Sequence, residues 1–401
     1  MNRSAAAAKS AYFLVVVVVL TLTIWGVPAS AQKIHRLDGS TISEKDADAT
    51  IKRLTKAANV TGIAVAIIND NKIVYIKGFG YRNAPEKLPL NENTVMYGAS
   101  FTKSLFACLV MQLVEEGSLD LDKPVYEYFP RPLPEYEEYK DLAGDDRYKK
   151  ITSRMLLDHT PGFPNWRFFT DDKKLRIYFD PGTRYAYSGE GITLLQAVVE
   201  SITKKSTADL MRDRIFRPAG MTRTEMVWDS RFEDNYAVGH DENGNVLGPR
   251  KSSRPRAAGS MVTTVSDISR FLVALRSGML LRKQSISDMF SPQIAIHSLH
   301  QFPSLDTATT TANDAIKLSY GLGWGVFESP AGKAYFKEGH DDGWNNHMVC
   351  FDAAKTCIVM LANSSNGDSI FKQLLAELIG DTYTPWEWEG YVPYQQKRVK
   401  K

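Results

Sequence analysis

The chain has 401 residues, more than a single core carries comfortably, since cores stop growing near about 250–300 residues. Apolar residues at 43% and charged residues at 24% are ordinary globular values and exclude a disordered, collagenous or coiled-coil chain. Three cysteines exclude a disulfide scaffold and a four-cysteine zinc site, while the formal charge of +3 invites a nucleic-acid or membrane reading until the charges are located.

Residues 1–31 carry Arg3 and Lys9, then an apolar run from Ala11 to Trp25, then Pro28 and the small residues Ala29-Ser30-Ala31. This is the pattern of a cleaved secretory signal, with cutting expected before Gln32. The run falls short of the ~20 apolar residues a bilayer needs. The expectation is an exported protein, periplasmic or extracellular, with no membrane span after cleavage. Losing Arg3 and Lys9 takes the charge from +3 to +1, and setting aside Lys397, Arg398, Lys400 and Lys401 as a solvated tail leaves a body at −3. No basic face remains to meet phosphate, so nucleic-acid binding drops out.

In chain order, Gly62 to Ile68 and Ile73 to Phe79 are β-rich runs around Asn69-Asp70-Asn71-Lys72, a hairpin signal. Ser104 to Val114 is apolar on nearly every face and is followed by Gly117, which reads as a buried helix with its cap. Near 125–150 the composition turns to Pro, Tyr and charge, a linker or surface loop. Amphipathic helices are predicted at Thr152–Asp158, Gly191–Thr203 and Ser266–Ser277, strands at Tyr320 to Phe327, Met348–Phe351 and Thr356–Ala362, and a closing helix at Ser369–Ile379. The predicted fold is α+β: a mostly antiparallel sheet flanked by helices with an inserted all-helical lobe. The sheet domain takes 45–128 and 250–380, the helical lobe 129–249 and a C-terminal tail 381–401. Cys108 lies in the buried helix and reads as core packing, whereas Cys350 and Cys357 flank a hairpin turn on one face, where a cross-strand disulfide would form in an oxidising compartment.

The chemistry centres on Ser100-Phe101-Thr102-Lys103. Ser-x-x-Lys alone is weak, since it recurs at Ser30, Ser201 and Ser369. Only Ser100 opens the apolar helix, and a spacing of three puts Lys103 on its face. A lysine among Phe101, Leu105, Phe106 and Ala107 is costly to hold charged, and desolvation lowers its pKa until it serves as a base. That is a route to an activated serine without histidine. Two more segments add polar groups: Pro181-Gly182-Thr183 leading to Tyr187, and Lys337-Glu338-Gly339-His340 at the end of a strand.

In this order the three segments resemble the serine β-lactamase and penicillin-binding-protein superfamily, in particular class C β-lactamase-like hydrolases and esterases. Leu156-Leu157-Asp158-His159-Thr160-Pro161-Gly162, Ala258-Gly259-Ser260-Met261, Tyr320-Gly321-Leu322-Gly323-Trp324 and Ile358–Asn363 resemble further landmarks, so the similarity covers about residues 45–380. The resemblance implies Ser100 as nucleophile, Lys103 as base, Tyr187 as proton shuttle and Lys337 as a source of positive potential. It implies an oxyanion hole from the backbone N–H groups of Ser100 and His340, and it implies no metal or cofactor. Glu338, Gly339 and Trp344 would face the substrate, although Trp324 and Trp344 also read as core aromatics.

Two departures bear on the substrate. Gly189 stands where many members have the Asn of Tyr-x-Asn, and Glu338 stands where a hydroxyl commonly sits to bind a carboxylate. Both favour a neutral ester or amide over a β-lactam or D-Ala-D-Ala. A second register would put His340 at the head of the third motif, and ungapped counting to Ile358–Asn363 favours Lys337. The leading expectation is therefore a serine hydrolase with a Ser100 acyl-enzyme acting on a small ester, amide or peptide. The alternatives are a D-peptide carboxypeptidase or β-lactamase, and a penicillin-binding or sensor protein that does not turn over. His297 with His300 lacks acidic ligands, Asp241–Asn245 reads as a hairpin turn, and His159 reads as bracing its loop.

Overall fold

The computed structural model describes residues 33–396. The expected export signal and the five basic-rich terminal residues lie outside them. The framework is an antiparallel sheet of nine strands, in the spatial order Ile294–Ala295, Ser319–Tyr320, Gly325–Ser329, Gly332–Asp341, Trp344–Phe351, Thr356–Ala362, Gly62–Asn69, Lys72–Asn83, Leu88–Pro89. The first hairpin turns on Asp70 and Asn71, both at positive φ (47° and 61°), which matches the right-handed twist of the strands it joins. Its first strand pairs with the last, Ile63 opposite Ala362 through Asn69 opposite Thr356, so the two ends of the chain share one sheet.

Alternation along Gly62–Asn69 decides what covers each face. Ala64, Ala66 and Ile68 enter one core with Phe106, Leu109 and Leu272, while Ile63, Val65 and Ile67 enter another with Ile51, Leu54, Leu374 and Leu375. Both faces are covered, which is why this strand reads as a continuous apolar run rather than an alternating one. The first core holds the helices Phe101–Glu115 and Val265–Arg276, and the second holds Glu44–Ala57 and Phe371–Leu378. The helix Glu44–Ala57 is absent from the sequence reading, although Ser43 and Asp46 close a capping box at its start.

Three expectations need correction. The predicted strand from Tyr320 to Phe327 breaks into Ser319–Tyr320 and Gly325–Ser329. Between them Gly323 (φ 83°) turns in so tightly that a Cβ there would sit 2.5 Å from Ala107 Cβ, and Ser104 Oγ donates to its carbonyl at 2.8 Å. Residues 129–249 are not all helical, because Gly239–His240 and Val246–Gly248 form a hairpin. Leu156, Leu194 and Phe216 of this segment also share one core with Phe106 and Leu109. Finally, 381–396 is not a loose tail: Trp386 and Trp388 are buried, and Trp388 Nε1 donates to Ser298 Oγ at 3.1 Å.

Cys350 and Cys357 are directly opposed across their hairpin and are joined as a disulfide, leaving Cys108 as the free thiol. Denatured, unreduced protein should therefore titrate one thiol with Ellman's reagent and three after reduction. Three without reduction would show an open pair. Among the described residues no helix is long and apolar enough to cross a membrane.

Candidate active site

The serine sits where a strained residue meets a helix. Ala99, at φ 45°, is in the left-handed region that non-glycine residues rarely adopt, and it turns the chain so that Ser100 opens the helix Phe101–Glu115. One turn on, Lys103 is 1% exposed, with Nζ 3.0 Å from Ser100 Oγ and 2.5 Å from the carbonyl of Ala258. Burial, with the charge of Lys337 adding to it and Glu338 opposing, holds its pKa well below the usual lysine range. As a free amine it keeps one hydrogen on Ala258 and can turn its lone pair to the serine.

Tyr187 arrives from the loop before the helix Gly189–Thr203, whose first turn Ser188 caps by accepting the Gly191 N–H at 2.9 Å. His159 braces this loop: its Nδ1 accepts the Ser188 N–H at 3.2 Å, and its ring lies 4.4 Å from that of Tyr187. Burial and the nearby lysine charges keep that imidazole neutral. The phenol is also buried, which raises its pKa. Lys337 pulls it down while Glu338 pushes it up, and the net direction is upward. Tyr187 therefore holds its proton. Its hydroxyl accepts from Lys337 Nζ at 3.1 Å, and its ring lies 5.0 Å from Lys103 Nζ.

Lys337 is fully buried and donates to Glu338 Oε1 at 2.6 Å. Gln301 Nε2 donates to that same oxygen at 2.7 Å. Burial alone would discharge Lys337, but the carboxylate and Tyr187 outweigh it and leave its pKa raised. Of the two candidate registers, it is Lys337 that lies against Tyr187. His340, in the other register, points outward with its Nδ1 2.7 Å from Asn345 Oδ1.

The predicted substrate-facing residues divide. Gly339 is where the strand passes the serine: a Cβ there would lie 2.9 Å from the Gly98 carbonyl oxygen and 3.3 Å from the Ser100 nitrogen. Glu338 does not offer its carboxylate to an open face. It is 2% exposed and committed to Lys337 and Gln301. Trp344 is core: it is 1% exposed, edge-on to Tyr97, and pressed onto Gly239, where a Cβ would meet its Nε1 at 2.7 Å.

Two site residues escaped the sequence reading, Trp166 and Gln301. The Trp166 ring lies 5.9 Å from Lys103 Nζ and occupies the space in front of Gly189, where a Cβ would meet it at 2.6 Å. The indole thus fills the space that a side chain at position 189 would enter. Gly189→Ala should cost about 1–3 kcal/mol by overpacking. In a Trp166→Ala background it should be neutral or stabilising, because alanine gains about 1 kcal/mol over glycine in a helix. Urea midpoints of the four proteins check this, and equal costs in both backgrounds would contradict it.

Beside this cluster lies a cleft of about 990 Å³, walled by Trp166, Phe169, Phe302, Trp388 and Tyr391. It opens next to the Ser100–Lys103–Tyr187 cluster, since Phe302 packs edge-on against Tyr187 at 5.4 Å.

An antiparallel sheet flanked by helices, with a serine and a desolvated lysine one turn apart, is the architecture of the serine β-lactamase and penicillin-binding-protein superfamily, whose members are generally serine hydrolases. The chain belongs to the beta-lactamase family, whose model matches residues 47–379. Similar proteins include penicillin-binding protein 4* of Bacillus subtilis, 26% identical over 76% of this chain and 68% of that one. Another is protein flp of Staphylococcus aureus, 22% identical over 80% of this chain and 63% of that one, so the match spans less than two thirds of the second relative. Among solved structures, an octameric penicillin-binding protein homologue from Pyrococcus abyssi matches with TM-score 0.68 at 24% identity, covering 86% of this chain and 79% of that one. A D-alanine carboxypeptidase AmpC from Burkholderia cenocepacia matches with TM-score 0.67 at 22% identity, covering 84% and 98%. At these identities the structures support the shared fold.

Proposed function

We propose that the protein is an exported hydrolase that forms an acyl-enzyme on Ser100 and cleaves a neutral ester or amide. The observation that carries this reading is the 3.0 Å contact between Ser100 Oγ and a fully buried Lys103. Ser100 Oγ bonds to the acyl carbon as its proton passes to the Lys103 amine. The backbone N–H groups of Ser100 and His340, from the two segments that Gly339 lets approach, are the proposed donors to the oxyanion. Each such donor is typically worth ~3 kcal/mol. Tyr187 gives its proton to the leaving oxygen or nitrogen as that bond breaks, and the Lys337 ammonium stabilises the phenolate until Lys103 returns a proton. Water then repeats the attack and frees the acid. Export rests on the leader pattern of residues 1–31.

A fluorophosphonate probe tests the reading: the adduct should map to the Ser100 peptide and vanish in Ser100→Ala. An adduct elsewhere, or one that survives the substitution, would refute it. The names of the Bacillus and Burkholderia proteins favour a second reading, peptidoglycan or D-peptide amides, as a carboxypeptidase or β-lactamase. Labelling by a fluorescent penicillin that Ser100→Ala removes would support it. A single burst of one acyl group per chain without steady release would instead indicate a sensor.

A further inference from the structure

The cleft beside Ser100 has a charge pattern that ester hydrolysis by itself does not require. Aromatic rings crowd its mouth and stay open to solvent: Phe169 is 74% exposed, Tyr178 44% and Phe302 40%. Exposed apolar surface gathered at a concave site marks a place that a ligand covers. The charged lining is acidic, Asp171, Glu387 and Glu389, with no lysine or arginine among it. Glu389 is tied to His347 at 3.3 Å, whereas Asp171 and Glu387 are exposed. His300 is the one basic side chain lining the cleft, and its Nδ1 lies 3.3 Å from the Glu387 carbonyl oxygen.

The cleft wall is also joined to the reacting groups. Gln301 donates its backbone N–H to the Trp388 carbonyl at 2.9 Å and its side-chain amide to Glu338 at 2.7 Å. Trp166 faces both Lys103 and the cleft. What fills this space therefore lies against Trp166 and Phe302, whose rings in turn lie 5.9 Å from Lys103 Nζ and 5.4 Å from the Tyr187 ring.

We propose that the cleft binds an apolar group bearing an ammonium cation, as part of the substrate hydrolysed at Ser100. Ring faces carry negative quadrupolar potential and attract organic cations within about 6 Å, and the carboxylates at the rim add to that attraction. A carboxylate entering the same space meets like charge. That the bound group belongs to a substrate rests on the serine-hydrolase reading.

Three probes of similar shape test it: phenyltrimethylammonium, its neutral isostere tert-butylbenzene, and benzoate. Inhibition of p-nitrophenyl acetate hydrolysis should be competitive and on the order of tenfold stronger for the cation than for the other two. The advantage should fall towards one in Asp171→Asn/Glu387→Gln, two changes at exposed positions. Quenching of tryptophan fluorescence in Ser100→Ala, which reads binding at Trp166 and Trp388 without turnover, should give the same order. Equal or stronger binding of the isostere or benzoate, or an advantage that survives the double substitution, would overturn the proposal. Failure of the hydrolase reading shows separately, as ester hydrolysis that does not depend on Ser100, and the fluorescence titration then still decides what the cleft binds.

Discussion

Lys103→Arg is expected to lower kcat/KM for a p-nitrophenyl ester by about 10³-fold, within the range that a positioned general base contributes. The reason is protonation rather than reach. In the wild type, burial and the Lys337 charge depress the Lys103 pKa, which favours the free amine proposed to accept the Ser100 proton. A guanidinium stays charged at every accessible pH, so raising the pH should not rescue the variant. Wild-type kcat/KM should rise with pH through the lowered pKa of Lys103, and the variant should lack that limb. Stability runs the opposite way. The unfolded chain binds a proton on this lysine more readily than the folded one, so Lys103 destabilises the fold increasingly as pH falls below its unfolded value. Lys103→Met should be inactive yet gain on the wild type in urea unfolding as the pH is lowered. A pH–rate profile in Lys103→Arg with the wild-type slope would show that the base is another group.

The serine helix is legible because its sequence is extreme: apolar side chains on every face leave Lys103 no route to water, and from Phe101 to Met111 every residue is indeed buried. The Asp70-Asn71 turn and the strand Thr356–Ala362 are legible for local reasons, turn chemistry and an unbroken β-rich run. What sequence hides is whatever tertiary packing decides. Trp166 and Gln301 come from loops, and nothing in their neighbours announces that one fills the space before Gly189 and the other holds Glu338. Trp344 sits beside motif residues, but only the close approach of Gly239 shows that its ring packs inward. The C-terminal segment did carry a signal, in Trp386, Trp388 and Tyr391, that its basic end outweighed. Trp388 is anchored through Ser298 and, with Tyr391, forms a wall of the cleft.

Glu338 is the residue whose removal should cost the fold most. Its carboxylate is the counter-charge to a lysine with no exposure, and removing one partner of a buried pair typically costs about 3–5 kcal/mol because the other charge is left uncompensated. Glu338→Ala should show that loss at pH 7 in urea unfolding. The dependence on pH identifies the cause. Burial raises the Glu338 pKa, but Lys337 and Gln301 more than reverse this, so it falls from 4.5 to about 2. A depressed carboxyl contributes stability that is present above its unfolded pKa and is lost as pH falls towards its folded one. Lys337, raised, contributes stability that is present below its unfolded pKa and is lost as pH rises through its folded one. The gap between wild type and variant should therefore be widest near neutrality and should close between pH 4.5 and about 2. Activity should fall as well, because without Glu338 burial discharges Lys337 and leaves the Tyr187 phenolate without its ammonium partner. A gap that stays constant down to the lower limit would mean that Glu338 stabilises the protein by packing rather than by charge, and the Lys337 cation would then need another source of compensation.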